Sequence, residues 1–241
     1  FENPLGRGVI LADEVGLGKT IEAGLLLAQN WAMMRQRLLV IVPASLRQQW
    51  QRELESKFHL PAMILEAKAF RNAERSGNAN PVRQPAVVIC SYQVAATRAS
   101  LMERMAWDLV VLDEAHRMRN VNNRRSVIAR TIKDALRDRP KVLLTATPLQ
   151  NSLDELSGLV SVIDENVFGR ALEERSTRAS ERNQYAELKE RLRPFCQRTL
   201  RRHVSEYVSF TERHAVVQAF DPTPEEVELD RKISSLSLIH I

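Results

Sequence analysis

The chain is poor in the residues that mark several common classes of protein. It has two cysteines among 241 residues and neither lies in a metal-ligand spacing, which disfavours a disulfide-stapled secreted domain and a cysteine-held metal. Aromatic residues are only 5% of the sequence, which disfavours base stacking on single-stranded nucleic acid. No apolar run reaches the roughly 20 residues of a membrane-spanning helix, and no signal peptide precedes the first predicted strand. We therefore expect a cytoplasmic domain without membrane contact.

The composition fits a globular enzyme domain. Hydrophobic residues make up 44% of the chain, enough for one large domain or one domain with an appendage. Cys90 lies in a strand pattern and Cys196 in a helical one, and we expect both to be buried free thiols. The tryptophans Trp31, Trp50 and Trp107 are predicted to be single packing residues.

The net charge of +5 favours a polyanionic partner. Nine arginines and lysines lie between Arg117 and Lys141, and six lie between Lys189 and Arg202. Such clusters are typical of nucleic-acid backbone contacts, which need no base recognition. They are equally typical of solvated helix faces, so the pattern leaves both interpretations open.

Short apolar runs alternate with helical patterns along the first 145 residues. Helical patterns include Ile21 to Arg35 and Leu46 to Lys57. This alternation predicts an α/β fold with a parallel sheet and helices on both faces. The predicted strands are Gly8 to Ala12, Leu38 to Val42, Ala86 to Cys90, Leu109 to Leu112 and Lys141 to Thr145.

The rest of the chain has a different pattern. Asn72 to Pro85 is predicted to be an exposed loop, and Glu173 to Arg193 a projecting, mostly polar helical element. Arg213 to Phe220 alternates like a strand. Pro222 and the acids after it are typical of a helix start. The last residues, Ser235 to Ile241, break the helical pattern, and we exclude them from the fold as a non-native tail.

The sequence GVILADEVGLGKT, Gly8 to Thr20, joins a buried strand to a helix through a glycine-rich loop. Gly16 and Gly18 let backbone N–H groups close around phosphate oxygens at a helix N-terminus. Lys19 would then reach the β- and γ-phosphates, and the Thr20 hydroxyl would bind Mg²⁺. Asp13 stands where the generic phosphate-loop pattern has its first glycine.

A second motif, LVVLDEAH at Leu109 to His116, ends a predicted buried strand in two adjacent acids. Ligands of open α/β sheets bind at the carboxyl ends of strands. Asp113 can hold the Mg²⁺ that bridges the phosphates, and Glu114 can orient or deprotonate the attacking water. The two motifs together predict an ATPase.

These motifs resemble, in order, motifs I, II and III of the Swi/Snf-like branch of superfamily-two helicases. The matching stretches are DEVGLGKT, DEAH and LLTATPLQN (Leu143 to Asn151). IVPASLRQQWQRE, CSYQ and LRPFCQRTLRR resemble three further segments of that family, two of them DNA-facing. The departure at Asp13 is itself what this branch shows.

The resemblance implies a first RecA-like P-loop NTPase lobe at residues 1 to 165 and a helical protrusion and linker at residues 166 to 234. It implies ATP and Mg²⁺ as cofactors, with Lys19, Asp113 and Glu114 catalytic and Thr20 and Asp113 holding the metal. The nucleotide would be held by Asp13, Glu14, Gly16, Leu17, Gly18, Lys19 and Thr20. Motif coupling would pass through His116, Thr145 and Thr147. DNA would be contacted by Pro43, Ala44, Ser45, Ser91, Tyr92 and Gln93.

Three functions stay open from the sequence. The first is an ATP-driven translocase on double-stranded DNA, in a bacterial protein whose second RecA-like lobe lies outside this chain. The second is a DEAH-box-type unwinding helicase for DNA or RNA. The third is a nucleotide-gated binding module without motor activity. Members that act on RNA polymerase and members from defence systems share these motifs, so either partner is compatible.

Overall fold

The computed structural model describes residues 7–66, 85–121, 123, 125–146, 153–165, 195–199 and 221–237. The chain forms two compact units, Phe1–Val204 and Ser205–Ile241. All described strands belong to the first unit, and the described part of the second is a single helix.

The first unit contains a parallel sheet, with seven strands in the described residues. They are β1 Gly8–Leu11, β2 Leu38–Val42, β3 Ala62–Ile64, β4 Val87–Ser91, β5 Leu109–Leu112, β6 Lys141–Leu144 and β7 Cys196–Gln197. The strands lie in the order β3-β4-β2-β5-β6-β1-β7. The five predicted strands are confirmed, with ends that differ by at most one residue.

Helices cover both faces of this sheet, as predicted. One face packs against α1 and α2 through Ala23, Leu27, Trp50 and Leu54. The other packs against the remaining helices of the unit, so the central strands are buried on both sides, which is why they are uninterrupted apolar runs. The described helices of the unit are α1 Lys19–Ala32, α2 Arg47–Phe58, α3 Tyr92–Thr97, α4 Ala99–Arg104, α5 Val127–Ala135 and α6 Leu153–Ile163, with 3₁₀ turns at Ala44–Leu46 and Ala115–Met118.

The prediction of a helix around Cys196 is wrong. Cys196 lies in β7 and is half-buried, whereas Cys90 is buried in β4 as expected. Two residues carry too little pattern to reveal a strand, and β7 exists because β1 offers it an open edge. The amide of Ile10 donates to the carbonyl of Phe195 at 2.6 Å, and that of Ala12 to the carbonyl of Gln197 at 2.7 Å. The sheet therefore continues past residue 165, and the predicted domain boundaries stay predictions.

The second unit contains helix α7, Pro224–Ser237. The Thr223 amide donates to the Glu226 carboxylate at 2.8 Å, and the Glu226 amide to the Thr223 hydroxyl at 3.3 Å. This reciprocal cap, with Glu225 also in the first turn, confirms the predicted helix start. The helix includes the first three residues of the predicted tail, Ser235 to Ser237.

Several predictions lie outside the described residues. They concern most of the 72–85 loop, the polar helical element at 173–193, the strand at 213–220 and Thr147. Within the part of the chain that the structure describes, no helix is long and apolar enough to cross a membrane.

Candidate nucleotide-binding site

The predicted phosphate loop and the predicted acid pair lie at the same edge of the sheet. The loop follows the carboxyl end of β1, and the acids follow the carboxyl end of β5. Strand β6 lies between these two strands and pairs with both in parallel register. Because parallel strands end at one edge, residues separated by about a hundred positions in sequence meet there.

The phosphate loop is shaped by two glycines. Gly16 and Gly18 have φ angles of 85° and 92°, in the left-handed region that side chains rarely adopt. The carbonyl of Gly18 accepts the amides of Ile21 and Glu22 at 2.8 and 3.0 Å, so α1 begins directly after it. A left-handed glycine at this point leaves the N-terminal amides of the helix turned toward the loop, as an anion site requires.

Lys19 is the first residue of α1 and its side chain turns back into the loop. Its ammonium donates to the carbonyls of Asp13 at 2.6 Å and Glu14 at 3.1 Å. Thr20 follows in the same helical turn and is half-buried. A backbone cradle, an ammonium and a hydroxyl are the donor set that a Mg²⁺-nucleotide phosphate tail requires, so these residues fit that group.

A short segment from far along the chain closes over the loop. The Glu14 amide donates to the carbonyl of Thr199 at 3.2 Å, and the Thr199 amide donates to the Asp13 carboxylate. Asp13 is only 2% exposed. Burial of Glu22, together with its charge repulsion and hydrogen bond with Asp13, raises the pKa of Glu22. Asp13, predicted as a nucleotide contact, thus holds residues 195–199 against the loop.

Asp113 is fixed by hydrogen bonds to both of its carboxylate oxygens. The indole Nε1 of Trp50 donates to Oδ2 at 2.8 Å, and the amide of Glu114 donates to Oδ1 at 2.8 Å. Burial raises the pKa of Asp113, while these two donors and the charge of Lys19 act to lower it. The two predicted motifs are brought near each other by the strand order, in which only β6 separates β1 from β5.

Glu114 has a left-handed backbone, with a φ angle of 50°, at the start of the 3₁₀ turn. Such a conformation is uncommon for a residue other than glycine and is often found at functional positions. Its carboxylate lies 3.0 Å from Nδ1 of His116, and both side chains are partly exposed, at 42% and 36%. An accessible carboxylate beside an imidazole can hold a water and accept its proton.

Two of the three predicted coupling residues, His116 and Thr145, lie close to the same edge. Thr145 is buried directly after β6, and its amide donates to the carbonyl of Leu11 at 3.0 Å. It therefore contacts the end of β1, the strand that precedes the phosphate loop. His116 contacts the acid turn through Glu114.

The predicted DNA contacts divide into exposed and buried groups. Ala44, Ser45 and Gln93 are exposed, and Pro43 is half-buried. Ser91 is buried and its hydroxyl caps α3 by accepting the Val94 amide at 3.3 Å. Tyr92 is 3% exposed and its hydroxyl donates inward, to the carbonyl of Asp113, at 2.7 Å. The exposed residues are accessible for side-chain contact and Tyr92 also contacts the acid turn, and all six predicted DNA contacts stay predictions.

The prediction that Trp50 is a packing residue describes its ring but not its N–H group. Its ring is buried at 2% exposure, but its N–H contacts a predicted metal ligand. The only signal available from the sequence was its place in IVPASLRQQWQRE, which says nothing of a partner 63 positions away.

Comparison with known proteins agrees with this geometry. The family model described as the SNF2-related domain matches residues 2–228. The chain therefore belongs to the SNF2-related family, and its sheet is the RecA-like α/β fold of SNF2 ATPase cores. It resembles the Sulfolobus solfataricus SWI2/SNF2 ATPase core in complex with dsDNA, with a TM-score of 0.63, 25% identity and coverage of 80% of this chain and 40% of that one.

Curated relatives point to the same family. The chain is 32% identical to an uncharacterized ATP-dependent helicase, YqhH, of Bacillus subtilis over 94% of its length and 39% of the relative's. It is 36% identical to the RNA polymerase-associated protein RapA of Actinobacillus pleuropneumoniae over 66% of its length and 18% of the relative's. The chain thus spans less than half the length of each of these relatives.

Proposed function

We propose that this domain binds and hydrolyses ATP with Mg²⁺ and drives translocation along double-stranded DNA, thereby remodelling protein–DNA complexes. The observation that supports it most is the convergence of the Lys19 loop and the Asp113–Glu114 turn at one sheet edge. Together they supply the residue types that a phosphoryl-transfer site needs, and the acid turn after β5 lies beside the end of β2, which the predicted DNA contacts Pro43 to Ser45 follow.

Each residue has a distinct role in this proposal. Lys19 exchanges the loop carbonyls for the β- and γ-phosphates, and Thr20 with Asp113 would hold the metal. Mg²⁺, when bound, supplies neutralisation of the phosphate charge. Glu114 orients the attacking water and accepts its proton, and His116 keeps the carboxylate turned toward it. Thr145 would transmit movement of the phosphate loop to neighbouring segments, and Thr147 is proposed to act with it.

Duplex DNA is favoured over single strands by three facts. The chain is aromatic-poor, and its exposed predicted contacts are small or polar, as suits backbone phosphates rather than bases. In addition, the solved SWI2/SNF2 core that this chain resembles is a complex with dsDNA. RNA polymerase, as for the RapA relative, or a defence-system protein are the proposed partners of the whole protein.

An unwinding helicase is the second candidate, because the YqhH relative is named an ATP-dependent helicase. The two functions are separated by ATP turnover of the full-length protein with duplex DNA, single-stranded DNA or single-stranded RNA. We expect duplex DNA to stimulate turnover most. A turnover rate that is unchanged by duplex DNA but increases with single-stranded RNA would favour the helicase.

The proposed mechanism also needs a second RecA-like lobe. In phosphoryl transfer an arginine supplied from another element is worth roughly 10³ to 10⁵ in rate. We therefore expect residues 1–234 alone to show little ATPase activity with saturating duplex DNA, and the authentic second lobe to restore it. Strong DNA-stimulated turnover by the isolated chain, abolished by Lys19→Ala, would refute the two-lobe requirement.

A further inference from the structure

We infer that Trp50 is a positioning residue for Asp113, holding that carboxylate in the orientation that binds the metal–nucleotide complex. The inference rests on the proposed ATP site but assigns a function to a side chain outside the phosphate loop and the acid motif. It makes the helix after β2 part of the metal site.

The Asp113 carboxylate is held at both of its oxygens. Oδ2 accepts the Trp50 N–H and Oδ1 accepts the Glu114 amide, both at 2.8 Å. A carboxylate oxygen has two acceptor positions, so each oxygen keeps one for a cation or its water shell. With a donor on each oxygen the group cannot rotate without losing a hydrogen bond. Partners of this kind orient metal ligands in proteins.

The indole ring of Trp50, which carries the N–H donor, is rigidly packed. Trp50 is 2% exposed and packs in the core cluster that contains Ala23 and Leu27 of α1 and Leu54 of its own helix. Its N–H therefore points from a fixed ring. The Glu114 amide alone would leave Oδ2 free to turn.

A second buried tryptophan, on the other face of the sheet, offers a contrast. Trp107 is similarly buried, at 3% exposure, but its N–H donates to the backbone carbonyl of Met102 at 3.0 Å. A buried indole can thus be satisfied by the main chain. If Trp50 were only a packing residue, removing either N–H should have the same kind of effect, a loss of stability.

The test replaces each indole by a ring without a donor. In the full-length protein, Trp50→Phe should raise the Mg²⁺ concentration needed for half-maximal binding of fluorescent ATP about 10-fold, since loss of such a partner typically costs about 10- to 100-fold in metal affinity. Trp107→Phe is the matched control and should leave that concentration within about twofold. Nucleotide binding without Mg²⁺ should be the same in all three proteins.

A cycle with Asp113→Asn distinguishes positioning from general damage. In the Asp113→Asn background, Trp50→Phe should add no further change in Mg²⁺ dependence, because the group it orients has lost its charge. Equal shifts for Trp50→Phe and Trp107→Phe, or an undiminished effect of Trp50→Phe in the Asp113→Asn background, would overturn the inference. Failure of the wild type to bind the Mg²⁺–nucleotide complex would instead overturn the proposed function.

A measurement on the unaltered sequence covers the case in which Trp50→Phe does not fold. In fluorotryptophan-labelled protein, the fluorine resonance of Trp50 should shift when Mg²⁺ is added to the nucleotide-bound state, and that of Trp107 should not. An unmoved Trp50 resonance at saturating Mg²⁺ would contradict the inference without any substitution.

Discussion

The two halves of the candidate site are held by different kinds of contact. The phosphate loop is held by a five-residue segment, 195–199, which pairs with β1 and reaches Asp13 and Glu14. The acid turn is held by two aromatic side chains from helices, Trp50 and Tyr92. The phosphate loop therefore depends on a segment that follows the core of the sheet in sequence, and the acid turn depends on side chains of the core itself.

This difference predicts different sensitivities. Changes in the distant segment should alter the loop and with it nucleotide affinity. Changes in α2 or α3 should alter the acid turn, and with it the metal and the chemical step.

Lys19→Ala tests the loop half. The ammonium that would bind the β- and γ-phosphates is lost, so nucleotide binding should weaken and turnover should fall to background. Steady-state ATPase and nucleotide titration of the full-length protein check this. Lys57→Ala is the control, because Lys57 lies on α2 in an exposed pair with Glu53 and should have no effect. Normal turnover in Lys19→Ala would remove the loop from the site.

Glu114→Gln tests the acid half. The amide can hydrogen-bond to water but cannot accept its proton, so ATP should bind normally while hydrolysis falls by about 10² or more. Binding and turnover measured on the same preparation separate these effects. Near-normal turnover would show that Glu114 is not the water-activating residue.

Asp13→Ala and Asp13→Asn test how the loop is held. Alanine removes the acceptor of the Thr199 amide, which should cost about 1–3 kcal/mol of unfolding free energy and weaken nucleotide binding. Asparagine keeps an acceptor oxygen and should retain most of both. Chemical denaturation and nucleotide titration provide the measurement, and equal losses in the two variants would argue against the hydrogen bond to Thr199.

Lys141 lies at the opposite edge of the sheet and should affect stability without affecting the nucleotide. It is fully buried, its ammonium donates to the carbonyls of Arg137 and Arg139, and burial lowers its pKa from 10.5 to about 8. The unfolded state then binds more protons than the folded state between these values, so the contribution of Lys141 to stability rises with pH across that window.

Cys90 and Tyr92 also make the unfolding free energy depend on pH, but they are present in both proteins. Comparison with Lys141→Met therefore isolates the effect of Lys141. The unfolding free energy of the wild type minus that of Lys141→Met should increase from pH 8 to pH 10. Nucleotide affinity should be unchanged at either pH. If the difference in unfolding free energy stays constant or falls with pH, burial of the Lys141 ammonium does not lower the stability of the folded state.

The central strands could be predicted because burial on both faces leaves an unbroken apolar run, as in β2 and β5. The two edge strands could not. Strand β3 has three half-buried residues, and β7 has two residues that pair with residues 186 positions earlier. Neither has a local pattern, and each is extended because a neighbouring edge is available.

The site was predictable where chemistry requires a fixed local order, as in the glycines, Lys19 and Thr20 of the loop. Its supporting contacts were not. The bond from Trp50 to Asp113 and the one from Tyr92 to the Asp113 carbonyl join residues that only the strand order brings together. The left-handed backbone of Glu114 has no counterpart in the residue type either.

The central claim, that the Lys19 loop and the Asp113 turn form one metal–nucleotide site, is tested most directly by calorimetric titration of ATP with and without Mg²⁺. Glu114→Gln serves as the starting protein so that ATP is not consumed. We predict that Mg²⁺ strengthens binding, that adding Asp113→Asn abolishes this Mg²⁺ dependence, and that adding Lys19→Ala weakens binding in both conditions. Mg²⁺-strengthened binding that survives Asp113→Asn unchanged would contradict the account.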